Sequence, residues 1–425
     1  MLQDRRRFSK LSITASVATL GAVAAISGCG SSSPSNASQP GKSSGSTTVQ
    51  VLALDYDSGM SSWAASTMKA FNASHSNVKL KITVEPPDQL DQILTTRVQG
   101  GDPPDISAMA TAWMPAFVKA NALQNLQTIL PSSLLNLINQ NLLTGSTYNG
   151  VLGALPYAAS SRLLFYNKAD FAKAGITSPP RTWAELESDA VKIKAAHAAP
   201  YPFGLVGNGT EAFAAWFPYV YWSYGGTFGS GSTLTIDQAA CTQGLTQYYD
   251  MVNRDKTTEP NPQTYAQAQV EDLWKSGQIA MTIWDPLLVS LTPANIQFGV
   301  APVPGGTEQT TLGVADGWAV FKQAKASQSA ITTVLQYLMA PSQETPFVIA
   351  RDFLPTEDAA SSNSHFSTPA LAPFVQSLKI AKFAPLNPQW GAINNQGAKI
   401  IQSLYASGNT PANACKQLAA AIQNP

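Results

Sequence analysis

Val78-Lys79-Leu80-Lys81-Ile82-Thr83-Val84 sets an apolar side chain at every second position. That is the period of a strand with one buried and one wet face. Upstream, Val49-Gln50-Val51-Leu52-Ala53-Leu54 reads as another strand, and an Asp-Ser-Gly turn leads from it into a helix over residues 63–72. Downstream, residues 90–99 have helical spacing and stop at Gly100-Gly101. Asp105-Ile106-Ser107-Ala108 begins a third strand, and residues 112–120 follow as a helix. Strands alternating with helices imply an α/β fold, a parallel sheet covered on both faces. Ligands in such sheets gather at the carboxyl ends of the strands. The turns after the first and third strands hold Tyr56, Asp57, Thr111 and Trp113, and Tyr56, Asp57 and Trp113 become ligand-binding candidates.

A second pattern begins near Tyr157. Leu163-Leu164-Phe165-Tyr166 is an apolar strand, and residues 168–174 form a helix stopped by Gly175. Thr182, after Pro179-Pro180, is placed to cap a helix over residues 183–196. Residues 278–284 and 298–302 read as strands, and residues 394–407 and 411–422 as the last helices.

The N-terminus has its own logic. Arg5-Arg6-Arg7 precedes an uncharged stretch over residues 11–26 that is too short and too weakly apolar to span a bilayer, and it reads as a signal peptide. The arginine run resembles a twin-arginine export signal, with Asp4 and Ser9 off that pattern, and serves the general secretory route equally well. Ile26-Ser27-Gly28-Cys29 looks like a lipobox, in which the Cys29 thiol takes a diacylglycerol; two acyl chains anchor stably where one is marginal. Residues 30–48 are almost pure Ser, Gly, Pro, Asn, Gln and Thr, a flexible tether. Gly41-Lys42-Ser43-Ser44-Gly45 fits the hydrolase G-x-S-x-G spacing, but a tether offers neither the strand nor the helix that motif needs.

Composition narrows the function. Removing residues 1–28 leaves about 400 residues, two or three domains at ~150 each. Lys+Arg and Asp+Glu are both 26, so no basic excess points to nucleic acid. His75, His197 and His365 have no metal-ligand spacing, and Asp55-Tyr56-Asp57-Ser58-Gly59 starts a calcium loop that does not continue. No metal or cofactor is expected. With Cys29 set aside, Cys241 and Cys415 either pair in an oxidising compartment or stay buried thiols.

Several runs together resemble the family 1 extracellular solute-binding proteins, the maltose-binding-protein-like receptors of bacterial ABC importers. They are Gly101-Asp102-Pro103-Pro104-Asp105-Ile106; Leu155-Pro156-Tyr157 with Leu163 through Lys168; Phe171 through Ile176; and Pro179-Pro180-Arg181-Thr182-Trp183-Ala184-Glu185-Leu186. Ser276 through Met281, Phe298 through Gly306, and Phe353-Leu354-Pro355-Thr356 continue the match. The resemblance implies a two-lobed periplasmic-binding-protein fold, each lobe a mostly parallel sheet flanked by helices, with the ligand cleft between them. Residues 49–158 and 318–366 would form the N-terminal lobe, and 159–317 and 367–425 the C-terminal lobe. Hinge crossings would fall near 158–160, 313–317 and 366–371. It further implies a monomer on the outer face of the cytoplasmic membrane. That monomer captures a sugar or oligosaccharide and delivers it to the transmembrane subunits of an ABC permease with its cytoplasmic ATPase.

A saccharide offers hydroxyls, which need polar partners, and C–H faces, which need aromatic area. Of the nine Trp, Trp63, Trp183 and Trp274 sit at helical positions and read as core or capping residues. Trp113, Trp216, Trp222, Trp284, Trp318 and Trp390 lie at strand ends or in aromatic segments that resemble the family's cleft-lining regions, and roughly half should touch ligand. Asp57, Arg162, Asp285 and Asp316 are the polar candidates. The chain departs from the family at Ser160, where an acid is common, and at Leu287, where Trp is common. A secreted glycoside hydrolase or lyase is the competing class and would use two of Asp57, Asp285 and Asp316. The same receptor fold serving a polyamine or phosphoester is a further alternative, and a phosphoester would want more cleft Arg or Lys than Arg162.

Overall fold

The computed structural model describes residues 46–230 and 233–424. The signal peptide, the Cys29 lipobox and all but the end of the tether lie outside the described residues. In chain order, β1 (Thr47–Leu54), α1 (Met60–Ser74), β2 (Val78–Glu85), α2 (Pro87–Gln99), β3 (Ile106–Ala110) and α3 (Met114–Lys119) make the alternating unit read from the sequence. Then come β4 (Leu155–Ser160), β5 (Leu163–Asn167), α4 (Trp183–Ala195), β6 (Tyr201–Gly204), α5 (Phe217–Ser223) and α6 (Gln238–Tyr249). Further along are β7 (Ile279–Trp284), α7 (Leu287–Leu291), β8 (Phe298–Ala301), β9 (Thr311–Val320), α8 (Pro341–Ile349), β10 (Ala381–Phe383), α9 (Trp390–Tyr405) and α10 (Pro411–Gln423), the elements not needed to place the site being left unlabelled. Among the described residues no helix is long and apolar enough to cross a membrane.

Two lobes follow from two separate hydrophobic cores. One collects β1 to α3, the start of β4, and residues from Trp318 through Phe366. The other runs from Ala159 through Ala315 and from Leu371 onward, with Leu142 and Leu354 joining it. The first sheet has the order β10-β9-β3-β1-β2, with β4 also pairing to β9. Here β1 is parallel to β2 and β3, whereas β9 is antiparallel to β3 and β4. The second sheet, β8-β5-β7-β6, differs from the mostly parallel expectation: β5 runs antiparallel to β7 and β8, and only β6 and β7 are parallel. The physical reason is that a period-two or apolar run fixes which face is buried but carries no information on strand direction.

Two strands run from one core to the other. In β4, Tyr157 and Ala158 belong to the first core and Ala159 to the second. In β9, Leu312 and Ala315 belong to the second and Trp318 to the first. The β9–β4 register shifts between Asp316 and Gly317. A Cβ on Gly317 would lie 2.8 Å from the Ala154 Cβ and 3.0 Å from the Leu155 carbonyl, so glycine lets the strands close at this irregularity. Such bulges bend a strand and re-aim a side chain, and here the side chain is Asp316. Thr182 caps α4 in a capping box with Glu185. A Cys241–Cys415 disulfide ties α6 to α10.

Candidate functional site

On the first lobe's side, Tyr56 in the turn after β1 donates its hydroxyl to Asp316 Oδ2 at 2.6 Å. The Tyr56 and Tyr157 hydroxyls are 2.7 Å apart. Because Tyr56 has one proton and gives it to Asp316, Tyr157 is the donor of that second bond. Burial, with the Asp316 charge beside them, raises both phenols well above their ordinary value, so both stay protonated donors. Burial, partly offset by the Tyr56 bond, raises the Asp316 carboxyl to about 6. Beside this chain, exposed Asp57 pairs with Arg351 Nε at 3.1 Å. The Arg351 guanidinium lies 4.3 Å from the Phe347 ring centroid.

On the second lobe's side, Arg162 lies in the two-residue link between β4 and β5. One of its terminal nitrogens donates to Ser160 Oγ at 2.6 Å, and the other faces Asp285 Oδ2 at 3.6 Å. Burial works against the Arg162 charge, but Asp285, Tyr219 and Glu211 outweigh it and hold the guanidinium charged. Glu211 touches solvent, yet enough protein surrounds it to raise its carboxyl, with Arg162 lowering and Asp285 raising it. The two sides meet where Ser290 Oγ of α7 donates to Asp352 Oδ2 at 3.0 Å. Burial raises the Asp352 carboxyl, and the nearby Asp285 charge adds to that. An acid–arginine pair thus stands on each side of the crossing strands, which themselves contribute Tyr157 and Asp316 to the Tyr-Tyr-Asp chain.

The sequence profile of the bacterial extracellular solute-binding proteins matches residues 55–345. The chain belongs to this family. A binding protein of Brucella abortus (strain 2308) is 31% identical over 379 residues, spanning 88% of this chain and 92% of that protein. The diacetylchitobiose binding protein of Streptomyces coelicolor is 24% identical over 434 aligned residues, spanning 96% of this chain and 97% of that one. The crystal structure of a cyclic alpha-maltosyl-1,6-maltose binding protein from Arthrobacter globiformis has a TM-score of 0.78 at 22% identity, covering 89% of this chain and 98% of that one. That likeness shows the two-lobed fold.

Within this solute-binding protein the sequence candidates divide. Tyr56, Asp57 and Asp316 come together on one side, and Arg162, Trp284 and Asp285 on the other. Trp113, half-buried, lies three residues beyond Ala110, the register partner of Asp316. Trp318 is 2% exposed, and Tyr157 stacks on it at 4.2 Å and 20°, so it presents no open face. Trp284 is 3% exposed, and its indole N–H has no partner among the described residues. Trp216, Trp222 and Trp390 are built into the second core: Trp216 packs edge-on to Phe203 and Tyr219, Trp222 edge-on to Phe228, and Trp390 against Phe213 and Phe228. Ser160, one of the departures from the family pattern, hydrogen-bonds Arg162, while Asp285 supplies the facing carboxylate. Sequence reasoning did not find Tyr157, Arg351, Glu211, Tyr219 or Asp352. Tyr157 lay inside a matched run and Arg351 two residues before another, which was the only signal either offered. Glu211 and Tyr219 carried none.

Proposed function

We propose that the protein captures a small saccharide between its lobes, without turnover, and hands it to the transmembrane subunits of an ABC import permease. The observation that carries this is the chain Tyr157–Tyr56–Asp316, in which the turn after β1 meets the two crossing strands. It holds a carboxylate acceptor for hydroxyl groups at the place where a hinge would move the lobes, oriented by the two phenols. Buried hydroxyls need such partners, since each unmet polar group costs about 1–3 kcal/mol. Asp57–Arg351 and Arg162–Asp285 supply further donors and acceptors on either wall. The relatives' names, diacetylchitobiose and a cyclic maltosyl-maltose, support a saccharide. In this reading residues 49–158 with 318–366 move against 159–317 with 367–425. Ligand stabilises the closed state through its extra contacts there. Calorimetric titration with a saccharide panel tests the binding. Asp316→Ala and Arg162→Ala should each abolish or severely weaken it, and wild-type affinity in both would remove this site.

The protein works as a monomer held by a diacylglycerol on Cys29 to the outer face of the cytoplasmic membrane, with residues 30–48 as tether. Mass spectrometry of the membrane fraction should find Cys29 as a diacylated N-terminus. A Cys29→Ala protein that stays membrane-bound at wild-type levels rules the anchor out.

A further inference from the structure

Between α1 and α8 lies a groove of about 540 Å³, within the ~300–1,000 Å³ range of small-molecule sites. Asp57 and Arg351 form one end of it, and the same pair flanks the Tyr-Tyr-Asp chain of the cleft. The groove and the proposed site thus share the Asp57–Arg351 pair, and the rest of the groove is lined by α1 and α8 of the first lobe. Trp63 of α1 forms part of its wall, half-exposed, with its ring edge-on to Phe347 at 5.0 Å. Sequence position alone assigns Trp63 to core or capping, but its partial exposure leaves indole surface for a planar C–H face.

The rest of the lining is polar where a saccharide would need it and short where room is needed. Ser66, Thr67 and Gln343 bring hydroxyl and amide groups, and exposed Ala70 and Ala350 leave the space between the helices open. Pro346 stands inside α8 and has no N–H to give the Ser342 carbonyl one turn earlier, and both residues line the groove. A ligand hydroxyl can donate to that carbonyl.

We infer that the α1–α8 groove is an extension of the saccharide site, in which Trp63 stacks on a ring beyond those held in the cleft, so that the protein prefers oligosaccharides to disaccharides. This inference rests on the saccharide reading above. A single aromatic platform is worth roughly a tenfold change in affinity.

The test is calorimetry with malto- and chito-oligosaccharides of two to five units against wild type, Trp63→Ala and Ala70→Trp. The second variant fills the groove from an exposed position and removes no packed side chain. The expected result is a rise in wild-type affinity with chain length that both variants lose, about tenfold at four or five units. Disaccharide binding in both should stay within about twofold of wild type, which also shows that they fold. If the longer chains bind both variants as tightly as wild type, the groove assignment falls and the saccharide reading stands. If disaccharide and longer chains weaken equally, Trp63 acts in the cleft itself and the extension is overturned. If no saccharide of any length binds wild type, both readings fall together.

Discussion

Glu344 and Glu357 are each 2% exposed, and the charge of Glu344 reaches Glu357. The Thr356 N–H and hydroxyl donate to Glu344 Oε1 at 2.7 and 2.9 Å. Glu344 Oε2 and Glu357 Oε1 have no partner among the described residues. Burial first, and the Glu344 charge second, raise the Glu357 carboxyl from its ordinary 4.5 to about 7. The folded protein therefore holds this proton more tightly than the unfolded chain. Stability from Glu357 is fully present below 4.5 and is lost as pH rises toward 7. The difference of about 2.5 pH units, at ~1.4 kcal/mol each, is a ceiling of about 3.5 kcal/mol. Gln at this position keeps the shape of the protonated acid and never ionises. Chemical denaturation of wild type and Glu357→Gln at pH 4, 6 and 8 reads the effect. The two should be close at pH 4, and the variant should become the more stable by up to about 3.5 kcal/mol at pH 8. A stability difference that stays constant across this range would refute the reasoning, because only a titrating group gives a pH-dependent one.

Ligand affinity of wild type should fall as pH drops below about 6, because the Asp316 carboxylate that accepts hydroxyls is then protonated. Asp316→Asn should bind weakly and without that pH dependence, and isothermal titration at pH 5 and 7.5 checks both. Replacing Cys241 and Cys415 by Ser together removes a link spanning 174 residues. That should cost about 2–5 kcal/mol, seen as a lower melting temperature of the oxidised wild type's counterpart and matched by wild type under reductant.

The fold was legible where local chemistry decides it. The alternation at 78–84 is β2, and the Thr182 cap is present with its Glu185 partner. Boundaries slipped where one residue changes the rule. Helix α2 starts at Pro87 rather than residue 90, because proline at the first helical position has no N–H to leave unpaired. Helix α9 starts at Trp390 rather than residue 394, after the turn in which Asn387 accepts from the Gln389 N–H. Asp57 and Asp316 were legible as polar residues at a strand end and a crossing. Tyr157 and Arg351 were not, because their roles come from partners about a hundred or more residues away: Tyr56 for one and Asp57 for the other. The tryptophans were hardest. An aromatic segment such as 216–222 has the same pattern whether its rings face a cleft or a core, and only the packing of Phe203, Tyr219 and Phe228 around them decides.

The central claim is reversible saccharide capture at Asp316, and calorimetry on wild type with recovery of the sugar tests it most directly. Saturable binding at micromolar strength, about −8 kcal/mol, is expected, with the saccharide recovered intact and the heat lost in Asp316→Ala. A saccharide consumed during the titration, or a panel in which none binds while a chemically different solute does, would contradict it.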